Sequence, residues 1–212
     1  MTRPPELLRF TPAERWVHRM TSLLIGLLVL TAAALYFPRL SVLVGHRPMV
    51  EAVHVAAGFL LPVPSLLGLL SPEFRADLRR LNRFRPDDWE WLRRRDRRTA
   101  GLPVGKFNGG QKLAAAFVAG AGLVLLGTGV VMLSTAWADV PLGWRQGATL
   151  VHDLLSLALV VLLAGHVWMA YRHPEARLAM RTGLVPAAYG ERQHPAWVQE
   201  LRGSDGQGQP GL

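Results

Sequence analysis

The chain has 212 residues, half of them hydrophobic, a formal charge of +9 and no cysteine. Without thiols it has no disulfides, no cysteine-ligated iron–sulfur cluster and no covalent c-type haem, so any metal centre must use His, Met or carboxylate. The apolar residues gather in four long blocks with charged segments between them, the pattern of a small polytopic membrane protein of one domain.

Residues 1–16 are polar, and Thr11-Pro12-Ala13-Glu14 is a helix start: an N-cap threonine, proline at the first helical position and glutamate at the third. The first helix is expected over 12–37 and carries His18 and Arg19 near its beginning. A signal peptide has a shorter apolar core and a small-residue cleavage site, and none precedes Phe37-Pro38, so this reads as a retained span. A short connection with Gly45, His46 and Pro48 leads to a second helix over 49–70, with His54 near its start and Pro62 and Pro64 expected to kink it. His46 falls in the loop and reads as solvated.

Residues 71–112 are the largest polar segment, with twelve Lys/Arg against six Asp/Glu. Within it, DDWEWLRRR has the character of a short amphipathic helix at a membrane surface, with Trp89 and Trp91 at headgroup level. The run Arg93 to Arg98 follows, and GKFNGGQK (Gly105 to Lys112) stands directly before the third helix, expected over 113–136. That helix has no histidine; its Gly120, Gly122, Gly127 and Gly129 would permit close approach of another helix or of a flat cofactor, and helix packing alone would explain them. The fourth helix, 148–171, contains His152 and His166. The tail beyond about residue 201 is rich in Gly and reads as disordered, leaving residues 1–201 as the membrane domain.

Arginine placement sets the topology. The N-terminal segment, the 71–112 loop and the tail hold 21 of the 24 Lys/Arg, and the other side has only Arg39, Arg47 and Arg145. The positive-inside rule therefore puts both termini in the cytoplasm, and the basic charge belongs to topology rather than to nucleic acid. The expected fold is an all-α, four-helix integral membrane bundle.

The histidines then sort by depth. His152 and His166 are fourteen residues apart, which is about 21 Å along a helix and within about 40° of one face. At the cytoplasmic depth His166 matches His18; at the outer depth His152 matches His54. Each match joins two helices, as clamping a planar macrocycle from both sides requires. Bis-imidazole ligation leaves no open position on iron and suits electron transfer. Zinc or copper would want further ligands close by, and a proton relay would want carboxylates, of which Asp153 is the only one well inside a span. Two b haems fit the pattern best; a haem-free anchor or transporter is the competing reading.

Five features occur in order along the chain: RFTPAERWVHR, the VHxxxG of the second helix, GKFNGGQK, the H-x13-H of the fourth helix followed by YRHPEA, and a late HPxW. Together they resemble the cytochrome b (gamma) subunit of respiratory formate dehydrogenases, within the di-haem cytochrome b561-like membrane class, over nearly the whole chain. Cytochrome b subunits of nickel–iron hydrogenases share the architecture. The resemblance implies a multi-pass protein of the bacterial inner membrane. In it, His54 and His152 hold the haem nearer the periplasm, and His18 and His166 the cytoplasmic one. It implies an iron–sulfur (beta) subunit as electron donor and, through it, a molybdenum or tungsten formate dehydrogenase (alpha) subunit. It also implies menaquinone or ubiquinone reduction beside Asn108, Gly110 and Gln111. The sequence departs from the family at Asp153, where a small or apolar residue is usual, and at Gln193-His194, where two histidines are common; the first bears on the outer haem's potential.

Overall fold

The computed structural model describes residues 5–97, 101–134 and 138–206. Four helical stretches are long and apolar enough to cross a bilayer: α1 (Pro12–Tyr36); α3 (Arg47–Leu60) continued by α4 (Val63–Gly68); α7 (Gly109–Ser134); and α8 (Leu142–Arg172). They correspond to the four expected spans. Each lines its surface with exposed Leu, Val, Phe and Trp, among them Leu30, Phe59, Leu123, Val161 and Trp168. Such surfaces need an apolar solvent, and helices satisfy their own backbone groups there. At about 1.5 Å per residue α8 runs roughly 46 Å, longer than the ~30 Å hydrocarbon core.

Local sequence explains the helix ends. At α1, Glu14 Oε2 accepts the Thr11 backbone N–H at 2.6 Å and its hydroxyl at 2.8 Å, one half of the T-x-x-E arrangement, while the Glu14 N–H stands 3.5 Å from Thr11 Oγ1. The expected proline effect in the second span falls at Leu61–Pro62, where α3 ends and α4 begins. Between α1 and α3, where a plain connection was expected, Pro38–Val44 forms a short helix, α2, closed by Gly45 at φ 70°.

The chain divides into two compact units. One comprises Trp16–Leu70 and Val118–Val167 and holds the four candidate histidines. The other comprises Met1–Arg15, Ser71–Phe117 and Trp168–Leu212. In this second unit lie α5 (Pro72–Asn82), α6 (Pro86–Arg93), α9 (Pro174–Thr182), α10 (Ala187–Gln193) and α11 (Pro195–Gly206). α6 forms where the amphipathic helix was expected, with Trp89 exposed; the expectation for Trp91 needs correcting, since its ring is buried against Gly110 at the start of α7 rather than facing outward.

The expectation of an all-helical chain needs one correction. β1 (Glu6–Leu8) pairs antiparallel with β2 (Leu184–Pro186), Leu7 opposite Val185. Gly183, just before β2, makes this possible. Its φ is 92°, its carbonyl accepts the Arg9 and Phe10 N–H groups at 2.8 and 3.1 Å, and an added Cβ would lie 2.5 Å from the Phe10 carbonyl oxygen. Around the pair, Ala179, Val185, Trp197 and Val198 form a buried cluster against Leu7, Phe10 and Tyr189. Three-residue strands carry too little alternation to be read from sequence. α11 runs to Gly206, and residues 207–212, the rest of the tail expected to be disordered, lie outside those described.

Candidate functional site

The structure brings the four histidines together in two pairs. His18 on α1 faces His166 on α8 with 6.3 Å between ring centroids, and His54 on α3 faces His152 on α8 at 6.4 Å. A metal–imidazole nitrogen bond is about 2.0–2.1 Å, and the ring centroid lies roughly 1.1 Å beyond the nitrogen. Two imidazoles on opposite sides of one ion therefore stand about 6.3 Å apart. Among the described residues no three or more His, Cys, Asp or Glu gather into a metal site. Each pair thus presents two imidazoles at a spacing that would suit one iron already held by a macrocycle, and the donors fit haem b.

Hydrogen bonds fix the second pair more tightly. Thr31 on α1 spends its hydroxyl proton on the Leu27 or Leu28 carbonyl one turn back, at 2.8 and 3.1 Å, and its oxygen lies 2.8 Å from His54 Nδ1. Thr128 on α7 repeats the arrangement, with the Val124 and Leu125 carbonyls at 2.8 and 3.1 Å and His152 Nδ1 at 2.9 Å. A hydroxyl whose proton is engaged can only accept, so both rings carry the proton on Nδ1 and present the Nε2 lone pair. His18 has only Ser22, four residues on, at 3.5 Å. Sequence reasoning missed both threonines. They lie 23 and 24 residues from their histidines and on other helices, so no local spacing announces them.

The glycines of α7 behave otherwise than expected. An added Cβ at Gly122 would meet Leu61 at 3.8 Å and one at Gly129 would meet His152 at 3.7 Å, both ordinary contacts, while one at Gly120 or Gly127 would meet nothing beyond its own helix backbone within 4 Å. None of the four marks a close helix crossing.

In the other unit, GKFNGGQK is built into the fold at almost every position. The Gly105 carbonyl accepts His194 Nδ1–H at 2.7 Å, and His194, from the late HPxW, is buried edge-on to Trp197. Lys106 Nζ is buried between Glu14 Oε1 at 2.9 Å and Asp77 Oδ2 at 2.5 Å, and its carbonyl accepts from Arg9 Nη2 at 2.9 Å. Lys112 Nζ reaches Asp88 Oδ2 at 2.6 Å and the Arg83 carbonyl at 2.9 Å. Burial, then the hydrogen bond with Glu14, raise the Asp77 carboxyl to about 7 against the opposing pull of Lys106. Burial likewise lowers the Arg9 guanidinium, partly offset by Tyr189.

Asn108 and Gln111 form the N-terminal cap of α7. Asn108 Oδ1 accepts the Gln111 N–H at 2.9 Å, and Gln111 Oε1 accepts the Asn108 N–H at 3.0 Å. Both amide oxygens are thus engaged, and each NH2 remains as a donor. Gly110 supports packing: a Cβ there would lie 2.9 Å from the Trp91 ring, and one on Gly109 would lie 2.5 Å from the Asp88 carbonyl oxygen. His46 is exposed at the start of α3.

Four apolar spans, three of which (α1, α3 and α8) carry the two facing histidine pairs, fit the architecture of a multi-pass b-type cytochrome. Residues 9–183 match the family described as prokaryotic cytochrome b561, and the chain belongs to that family. It is accordingly a protein of the bacterial inner membrane whose family implies haem b. It is similar to the formate dehydrogenase cytochrome b556(fdo) subunit of Escherichia coli (strain K12), 25% identical over 215 residues that cover 95% of this chain and 96% of the relative. The nitrate-inducible formate dehydrogenase cytochrome b556(Fdn) subunits of Escherichia coli (strain K12) and Shigella flexneri are 28% identical over 99 residues, 46% of each chain.

Proposed function

We propose that this chain is the membrane-anchoring electron-transfer subunit of a formate dehydrogenase complex, carrying electrons from a periplasmic iron–sulfur subunit through two b haems to quinone at the cytoplasmic side. The observation that carries the reading is the pair of imidazole separations, 6.3 and 6.4 Å, each suited to one six-coordinate iron. Nearly full-length similarity to a formate dehydrogenase cytochrome b subunit supports the assignment of the complex.

In this reading His18 and His166 hold one haem and His54 and His152 the other. Bound there, haem b supplies a reversible one-electron carrier. The helices do the positioning: α8 contributes one ligand to each pair, while α1 and α3 contribute the opposing ones. Arginine distribution supports placing His18–His166 on the cytoplasmic side and His54–His152 on the periplasmic side. The Asn108 and Gln111 NH2 groups donate to the oxygens of menaquinone or ubiquinone, while Gly110 contributes by letting α6 pack against the start of α7. Formate oxidation belongs to a separate molybdenum or tungsten subunit, reached through the iron–sulfur partner.

The test is a pyridine haemochrome assay on the purified subunit, joined to His→Ala variants. Two b haems per chain are expected. His54→Ala and His152→Ala should each remove one of them, and His18→Ala and His166→Ala the other. No haem in the wild-type chain would leave a structural membrane anchor, and loss of different haems in His54→Ala and His152→Ala would break the pairing.

A further inference from the structure

The two histidine pairs differ in what surrounds them, and the differences point one way. In the His54–His152 pair each ring places Nδ1 within 2.8–2.9 Å of a threonine oxygen whose own proton is directed to its helix, so each donates Nδ1–H to it. An acceptor on Nδ1–H pushes electron density onto the ring and makes Nε2 a more basic ligand, which favours the ferric state. The Asp153 carboxylate, adjacent in the chain, acts electrostatically on His152 and favours the ferric cation too. At the other pair, the sole described side-chain contact to Nδ1 of His18 is the 3.5 Å approach of Ser22, at the limit of a hydrogen bond. The neighbouring charge there is the Arg19 guanidinium, which acts on His18 and disfavours a ferric centre.

We propose that Thr31 and Thr128, reinforced by Asp153, are positioning residues that set the potential of the haem at His54–His152 below that of the haem at His18–His166. With haem held at both pairs, that ordering would favour transfer from the first to the second. The inference rests on the haem-ligand reading above and names the residues that would bias the flow proposed there. The same device also locks the ring orientation, because each threonine is itself tied to its helix carbonyl.

A redox titration of the b-haem absorbance in native membranes tests it. Wild-type membranes should give two midpoints, and the His54→Ala variant should lack the lower one. In Thr31→Val/Thr128→Val, which keeps side-chain shape, the lower midpoint should rise toward the higher one, which stays in place. Thr128→Val alone should move it the same way by less, Asp153→Asn should raise it, and Thr31→Ser/Thr128→Ser, which keeps both acceptors, should restore the wild-type value. Unmoved midpoints with both haems bound would overturn the inference, as would a shift of the midpoint lost in His18→Ala. Wild-type membranes whose chain binds no haem would instead overturn the ligand reading itself.

Discussion

Lys106 Nζ and Asp77 Oδ2 stand 2.5 Å apart, both side chains over nine-tenths buried, and Glu14 approaches the same ammonium at 2.9 Å. One cation thus bridges two carboxyl groups that come from the start of α1 and from α5. Removing one partner of a buried pair typically costs about 3–5 kcal/mol, because the remaining charge has neither water nor counter-ion. Lys106→Met should therefore lower the thermal unfolding midpoint of the detergent-solubilised protein sharply. An unchanged midpoint would mean that the three groups do not interact in the membrane protein.

Asp77 adds a pH dependence. Its folded-state value of about 7 lies above its ordinary value of 3.8. Between those limits the folded chain holds a proton that the unfolded chain has released. Asp77's contribution is therefore present in full below about pH 4, falls as pH rises toward 7, and changes little above that. Asp77→Asn, which cannot ionise, should flatten this part of the profile. Arg80, Arg9, Lys106 and Glu14 all act on Asp77 and remain in the variant. Thermal midpoints of both proteins taken between pH 4.5 and 8 make the comparison; parallel profiles would count against the assignment.

The cap of α7 allows fold and function to be separated at Asn108 and Gln111. Asn108→Ala removes a capping acceptor and should cost about 1 kcal/mol of stability. Asn108→Ser and Gln111→Glu keep a capping oxygen and remove only the NH2 donors. The double variant Asn108→Ser/Gln111→Glu should keep its thermal midpoint but reoxidise slowly with quinone after formate reduction. Normal quinone turnover would move the quinone site elsewhere.

Gly109 gives a steric test that involves no ligand. With the Asp88 carbonyl oxygen 2.5 Å from the position of a new Cβ, Gly109→Ala must displace α6 from the start of α7. Overpacking of this kind costs about 1–3 kcal/mol, and the thermal midpoint should fall accordingly. A midpoint at or above wild type would show that the two helices separate freely.

The sequence by itself determined the four spans, because a bilayer demands about twenty apolar residues and nothing else in the chain supplies them. It also determined the two histidine pairs, since fourteen residues of helix return to one face and topology leaves only two matches in depth. Thr31 and Thr128 were decided by tertiary structure, because their partners sit on neighbouring helices and a threonine in an apolar run has no period to betray it. GKFNGGQK stood out as a motif, but its use was not legible. Only the folded chain brings Glu14, Asp77, Asp88, Trp91 and His194 against it and turns a loop-like string into buried ion pairs, a helix cap and a close crossing. Covalent periodicity and solvent partition act locally and can be read residue by residue. Buried polar partners are chosen by what the fold brings within about 3 Å, across any distance in the chain.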